Sequence, residues 1–234
     1  MMGTIQQHSQ EKIILSANGL TKEFRGFIAV RDLNLQVREG SIHALIGPNG
    51  AGKTTVFNLL TKVLKPTDGS IIYQDKNITP LSPAHIARLG IVRSFQISAV
   101  FPQMTVLDNI RVALQRPNGL ATQWWKSEQA LNSLDTRARE LLKDVDLLDY
   151  VQHTAAELPY GRKRALEIAT TLALEPRLLL LDEPMAGMGH EDIARVTALI
   201  QRIAQGRTVL MVEHNLKVVA ELCDKITVLA RGQT

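Results

Sequence analysis

Hydrophobic residues recur along this chain in two rhythms, and the places where one gives way to the other mark its elements. Residues 12–17 and 28–37 read as strands; in the second, Leu33, Leu35 and Val37 alternate with polar neighbours, as in a half-buried antiparallel strand. Residues 41–46 are almost wholly apolar and read as a buried strand, and 56–60 continue as a helix. A turn at Pro66-Thr-Asp-Gly69 leads to a short strand at 70–73. Ser82 and Pro83 supply an N-cap and a first helical residue, Gly90 closes that helix, and 91–95 is a strand.

From about residue 98 to 157 the strand signals stop and helical spacing takes over. Thr105 and Asp108 resemble a capping box ahead of a helix that carries Leu107, Ile110, Val112 and Leu114, and Pro117-Asn-Gly119 breaks it. Trp124 and Trp125 fall in the most irregular stretch, where packing of this lobe on itself is the expectation. A longer helix then places Leu131, Leu134, Leu141, Leu142 and Val145 on one side. Beyond it come a helix at 162–174, a buried parallel strand at 178–181, another helix and a strand at 208–212, with the last strand turning at Arg231-Gly232. The expected architecture is α/β: one domain, residues 1–234, whose parallel core follows an antiparallel β flap and receives a helical lobe inserted at about 97–160.

Chemistry enters at residues 47–55. Gly47, Pro48, Asn49, Gly50, Ala51, Gly52, Lys53, Thr54 and Thr55 fill the pattern G-x-x-x-x-G-K-[ST] between a strand and a helix, the context in which this motif cradles phosphate. The glycines let successive N–H groups line one concavity, and the following helix adds the positive end of its dipole. Lys53 is expected to reach the β- and γ-phosphates of a nucleotide and Thr54 to ligate its Mg²⁺. Asp182 and Glu183 end the strand at 178–181 on the sheet edge where ligands bind; Asp182 suits the metal shell and Glu183 is free to orient or deprotonate water. Gln96 follows a buried strand and could reach a metal ion or water; His214 ends the strand at 208–212; Phe24 precedes the phosphate loop, where stacking on adenine and packing in the core are both open. Leu158-Pro-Tyr-Gly161 precedes a helix whose first residues read as Arg162, Lys163 and Arg164, cations that oppose the helix dipole unless an anion is placed beside them.

Composition narrows the class without changing this picture. At 234 residues and 45% hydrophobic the chain can bury a substantial core. No apolar run approaches the roughly 18–20 residues of a membrane span, and the polar start has no signal-peptide core, so secretion is not expected. A net charge of +4 with acids and bases interspersed marks no nucleic-acid surface. The single cysteine, Cys223, excludes an intramolecular disulfide and reads as a small core residue in a reducing compartment.

Taken in order and spacing, the phosphate loop, Gln96, residues 158–161, Asp182-Glu183 and His214 resemble the nucleotide-binding subunit of ATP-binding cassette transporters over nearly the whole chain. The resemblance implies ATP and Mg²⁺ as ligands. It also implies adenine contacts from Phe24 and Val30, metal contacts from Thr54, Gln96 and Asp182, and catalytic roles for Lys53, Gln96, Glu183 and His214. The signature, Leu158, Pro159, Tyr160, Gly161 and Arg162, is expected to contact nucleotide held by the opposite subunit. Here Pro159 replaces the family's serine, and Gly189 stands near the place where an aspartate is expected after the catalytic glutamate. The departures, with Arg93-Ser-Phe-Gln96 and Phe101-Pro-Gln-Met-Thr-Val106 upstream, look like the ATPases of branched-chain amino-acid importers. Expected partners are a second ATPase subunit, identical or related, transmembrane permease subunits and, indirectly, a periplasmic or extracellular solute-binding protein, with the chain peripheral on the cytoplasmic face of a bacterial inner membrane. The competing readings fit less well. A P-loop kinase has no use for the 158–161 turn, soluble cassette proteins usually carry two cassettes or a long coiled coil, and a non-hydrolysing scaffold has no need of Glu183.

Overall fold

A computed structural model describes residues 12–94, 100–115 and 134–234. The chain opens with a hairpin of β1 (Ile13–Phe24) and β2 (Phe27–Arg38), closed by Arg25 and Gly26 at φ 48° and 90°, the twisted turn that antiparallel strands favour. The first strand runs to Phe24, seven residues beyond its predicted end. Register shifts between Ala17 and Leu20 and between Leu20 and Lys22 break the alternation there, so the second half lacks a period-two signature. Phe24 therefore sits at a strand end rather than between strands. With β4 (Asp68–Tyr73) and β5 (Lys76–Asn77) the hairpin forms an antiparallel sheet of order β2-β1-β4-β5.

The second sheet is parallel throughout, in the order β6 (Ile91–Ser94), β7 (Leu178–Asp182), β8 (Thr208–Val212), β3 (Ile42–Ile46), β9 (Lys225–Val228). Every residue of β7 and β8 is buried, which is why they read as continuous apolar runs. Alternate residues feed two cores. Leu178, Leu180, Leu210 and Val212 face the antiparallel sheet, α1 (Lys53–Leu60) and α2 (Pro83–Arg88). Leu179, Leu181, Val209 and Met211 face α3 (Val106–Gln115), α4 (Asp135–Asp144), α5 (Tyr160–Leu172), α6 (His190–Ala204) and α7 (Leu216–Leu222). Each fully buried leucine contributes about 2 kcal/mol, and both faces of the sheet are covered.

The helical lobe is held by Leu107, Ile110 and Leu114 of α3 against Leu134, Leu141, Leu142 and Val145, all buried. Val112 is half-buried, and Leu131, Trp124 and Trp125 lie outside the described residues. Thr105 Oγ1 accepts the Asp108 amide at 3.1 Å and donates to Asp108 Oδ2 at 2.6 Å, a variant of the expected box in which the carboxylate takes the hydroxyl. Ser82 stands at the start of α2 but caps nothing; its hydroxyl bonds His85 Nδ1 instead.

Two expectations about α5 are corrected. The helix starts at Tyr160, so Arg162, Lys163 and Arg164 are its third to fifth residues, not its first. Arg164 is buried, pairs with Glu167 at 2.7 Å and donates to the Asp182 carbonyl at 3.0 Å; Arg162 lies over the Tyr150 ring at 4.1 Å. Two of the three cations thus serve packing, and no external anion is required to offset them.

Candidate functional site

Parallel strands end on one edge, and β3, β7 and β8 deliver the phosphate loop, Asp182-Glu183 and Glu213-His214 to the same place. The loop's shape is set by what crowds it from behind. A Cβ on Gly47 would lie 2.1 Å from the Leu229 carbonyl, and one on Gly52, at φ 102°, 2.7 Å from the Ala29 carbonyl. Only glycine lets β2 and the end of β9 press so closely on the loop. Val30 contributes to that backing. It has no exposed surface and packs behind Gly52, so it shapes the loop. Ala51 is also buried, and its amide is taken by the Pro48 carbonyl at 3.2 Å.

Lys53, first residue of α1, is 6% exposed and curls into the loop, where Nζ donates to the carbonyls of Gly47 at 2.8 Å and Pro48 at 3.0 Å. An ammonium has three donors, so a third remains for a ligand. Thr54 and Asn49 are exposed and Thr55 half-buried; the Thr54 hydroxyl makes no hydrogen bond among the described residues. Phe24 is 41% exposed at the hairpin tip, with Lys22 Nζ 5.0 Å from its ring centroid.

Asp182 is buried, and its Oδ2 accepts from the Arg93 guanidinium, whose other nitrogen donates to Asn58 Oδ1 at 2.6 Å. Arg93 comes from β6, the neighbouring strand, and lies over the Phe57 ring of α1. Arg93 thereby links the Asp182 carboxylate to α1, the helix that follows the phosphate loop. Glu183 follows with φ 45°, a left-handed conformation that costs a side-chain-bearing residue about 1 kcal/mol. Its amide donates to the Val212 carbonyl at 2.9 Å, which turns its side chain out of the strand line. Its Oε1 lies 2.9 Å from His214 Nε2. An ionised carboxylate can only accept, so the imidazole is the donor through Nε2.

Among the described residues, no three His, Cys, Asp or Glu side chains converge as a ready metal cage. The set on this edge fits an ion that arrives already bound to phosphate and needs only one or two protein oxygens, as Mg²⁺ does. Gln96, expected in that shell, lies outside the described residues.

The signature turn opens α5. Leu158 is buried; Pro159 is the N-cap of α5, which has no side-chain cap. Tyr160 is 58% exposed, yet its hydroxyl donates to the Ala186 carbonyl at 3.1 Å. Gly161 lies close to α6: a Cβ there would meet Asp192 Oδ1 at 2.5 Å, so that side chain would have to shift. The ties described for this turn run to Ala186 and Asp192. The sequence reading missed Arg93, Asn58, Asp192 and the partners of Glu213; a charged residue inside the apolar run at 91–95 was the signal available for Arg93.

Residues 30–186 match the family described as ABC transporter. The chain is 39% identical over 226 residues to the high-affinity branched-chain amino acid transport ATP-binding protein LivG of Escherichia coli (strain K12), with 94% of this chain and 89% of that one covered. It is 40% identical over 228 residues, at the same coverage, to BraF of Pseudomonas aeruginosa, which carries the same description. Among solved structures, the ADP conformation of an ATP-binding cassette of an ABC transporter superposes with a TM-score of 0.82 at 29% identity, covering 94% of this chain and 89% of that one. On sequence, on fold and on the order of groups along one sheet edge, this chain belongs to the ATP-binding cassette family of ABC transporters.

Proposed function

We propose that this chain is the ATP-hydrolysing subunit of a membrane importer for branched-chain or other hydrophobic amino acids. The observation that carries it is the meeting on one sheet edge of a Lys53-bearing phosphate loop with Asp182, Glu183 and His214. Two such subunits, identical or related, sandwich two ATP, each completing the other's site with its 158–162 turn.

In this reading Lys53 and the loop amides hold the phosphates and Phe24 backs the adenine. Mg²⁺, held by Thr54 and Asp182 together with the phosphates, would supply positive charge against the leaving and transferred oxygens. Arg93 keeps Asp182 turned toward that position. Glu183 Oε1 orients water and takes its proton, while His214 holds the carboxylate and steadies the charge that develops beside it. The solute does not touch this subunit; the assignment to branched-chain amino acids rests on the relatives' described role. Among the described residues no helix is long and apolar enough to cross a membrane, in keeping with peripheral attachment to permease subunits at the cytoplasmic face of a bacterial inner membrane. A solute-binding protein acts through those permeases.

Lys53→Ala should reduce ATP turnover by about three orders of magnitude, in line with loss of a principal transition-state cation. Phosphate release assays on the purified chain check this, and undiminished turnover in the variant removes the assignment.

A further inference from the structure

We propose that Glu213, to which no role is attached, is a positioning residue that clasps together the two loops carrying Glu183 and His214. The inference rests on the ATPase reading above. Glu213 is 3% exposed and follows directly on the last residue of β8. Its Oε1 accepts the Met185 amide at 3.0 Å; its Oε2 accepts the amides of His214 at 2.8 Å and Asn215 at 3.0 Å. Met185 is two residues beyond Glu183, in a turn closed by the Ala186 amide on the Glu183 carbonyl at 3.1 Å. One buried carboxylate therefore binds the backbone on both sides of the Glu183–His214 hydrogen bond.

The chemistry of the choice points to function. No lysine or arginine pairs with Glu213 among the described residues, so backbone amides alone meet its charge, an arrangement that an apolar side chain would spare the fold. The conformation it restrains is also one that would not persist unaided, since Glu183 stands at positive φ. On the other side Glu213 reaches α7. Asn215 caps that helix, its Oδ1 accepting the amides of Lys217 and Val218, so the loop after β8 has little freedom of its own.

Glu213→Gln keeps the shape and replaces one acceptor by a donor, so one loop must let go. In the full-length chain, kcat for ATP should fall about tenfold or more, with KM and the affinity for a fluorescent ATP analogue within about threefold of wild type. Combined with His214→Ala the loss should not multiply, because both variants disable one unit. Peptides covering 183–188 and 212–216 should exchange amide hydrogen faster in Glu213→Gln than in wild type. Multiplicative losses, unchanged kcat, or unchanged exchange in those peptides each overturn the clasp. Should Glu213→Gln not fold, Glu213→Asp, too short to reach both loops, is held to the same outcomes. A wild-type chain no faster than Lys53→Ala counts against the ATPase reading, while the exchange experiment still judges the clasp.

Discussion

His43 has no exposed surface on β3; its Nε2 shares a hydrogen bond with Thr227 Oγ1 at 2.8 Å and its Nδ1 has no partner. Burial, with Lys225 nearby, lowers its pKa from 6.5 to about 4. As pH falls below 6.5 the unfolded chain takes the proton first, so stability is whole above that value and is lost down to about 4, by up to ~3 kcal/mol. Denaturant melts at pH 7 and 4.5 measure the loss; His43→Gln should show a shallower decline, and an unchanged slope would place the acid sensitivity elsewhere. At this scale the sequence speaks clearly only when chemistry is local. Lys53 and Thr54 could be read because their loop is contiguous, and Asp182-Glu183 because they end an apolar run. Arg93, 89 residues from Asp182, and Glu213, 28 residues from Met185, could not, because folding alone brings those partners together.

Between residues and the whole lie elements that present a side chain. After the residues that fall outside the description, the chain re-enters at Val100, which packs on the core, and Phe101, whose ring is 52% exposed. The backbone beneath that ring is fixed. Buried Asn109 accepts the Phe101 amide at 2.6 Å and donates to the carbonyls of Phe101 at 3.1 Å and Thr105 at 2.9 Å. An exposed aromatic on a pinned backbone is preorganised for contact, and we assign it to a permease segment. Phe101→Asp should then fold, hydrolyse ATP at its basal rate and fail to assemble with the permease or support uptake. Unfolding of the variant, or loss of basal turnover, returns Phe101 to the core. Periodicity placed α3, but of the longer helix only Leu141 and Leu142 lie within α4, with Leu134 and Val145 flanking it and Leu131 outside the described residues. It misplaced the start of α5, since Pro159 and Tyr160 look like turn residues until the fold shows Pro159 as an N-cap, and it lost half of β1 to bulges.

For the whole molecule, the signature turn is the decisive landmark, because its described ties run to Ala186 and α6 and not to the phosphate loop. If a second copy or a relative completes the site, as proposed above, ATP should drive the association. Glu183→Gln, able to bind but not cleave, should accumulate as a dimer with ATP on size exclusion; a monomer at saturating ATP removes the sandwich arrangement. The tie between Tyr160 and Ala186 then takes on a meaning beyond packing. The turn lent to a neighbour is fastened, within its own chain, to the peptide that follows its own base. In the proposed pair each subunit would be a lender and a borrower at once, and what it lends would shift with the state of what it keeps. Turnover at one nucleotide would then be felt at the other, so a pair with one dead site should stall as a machine, not run at half speed.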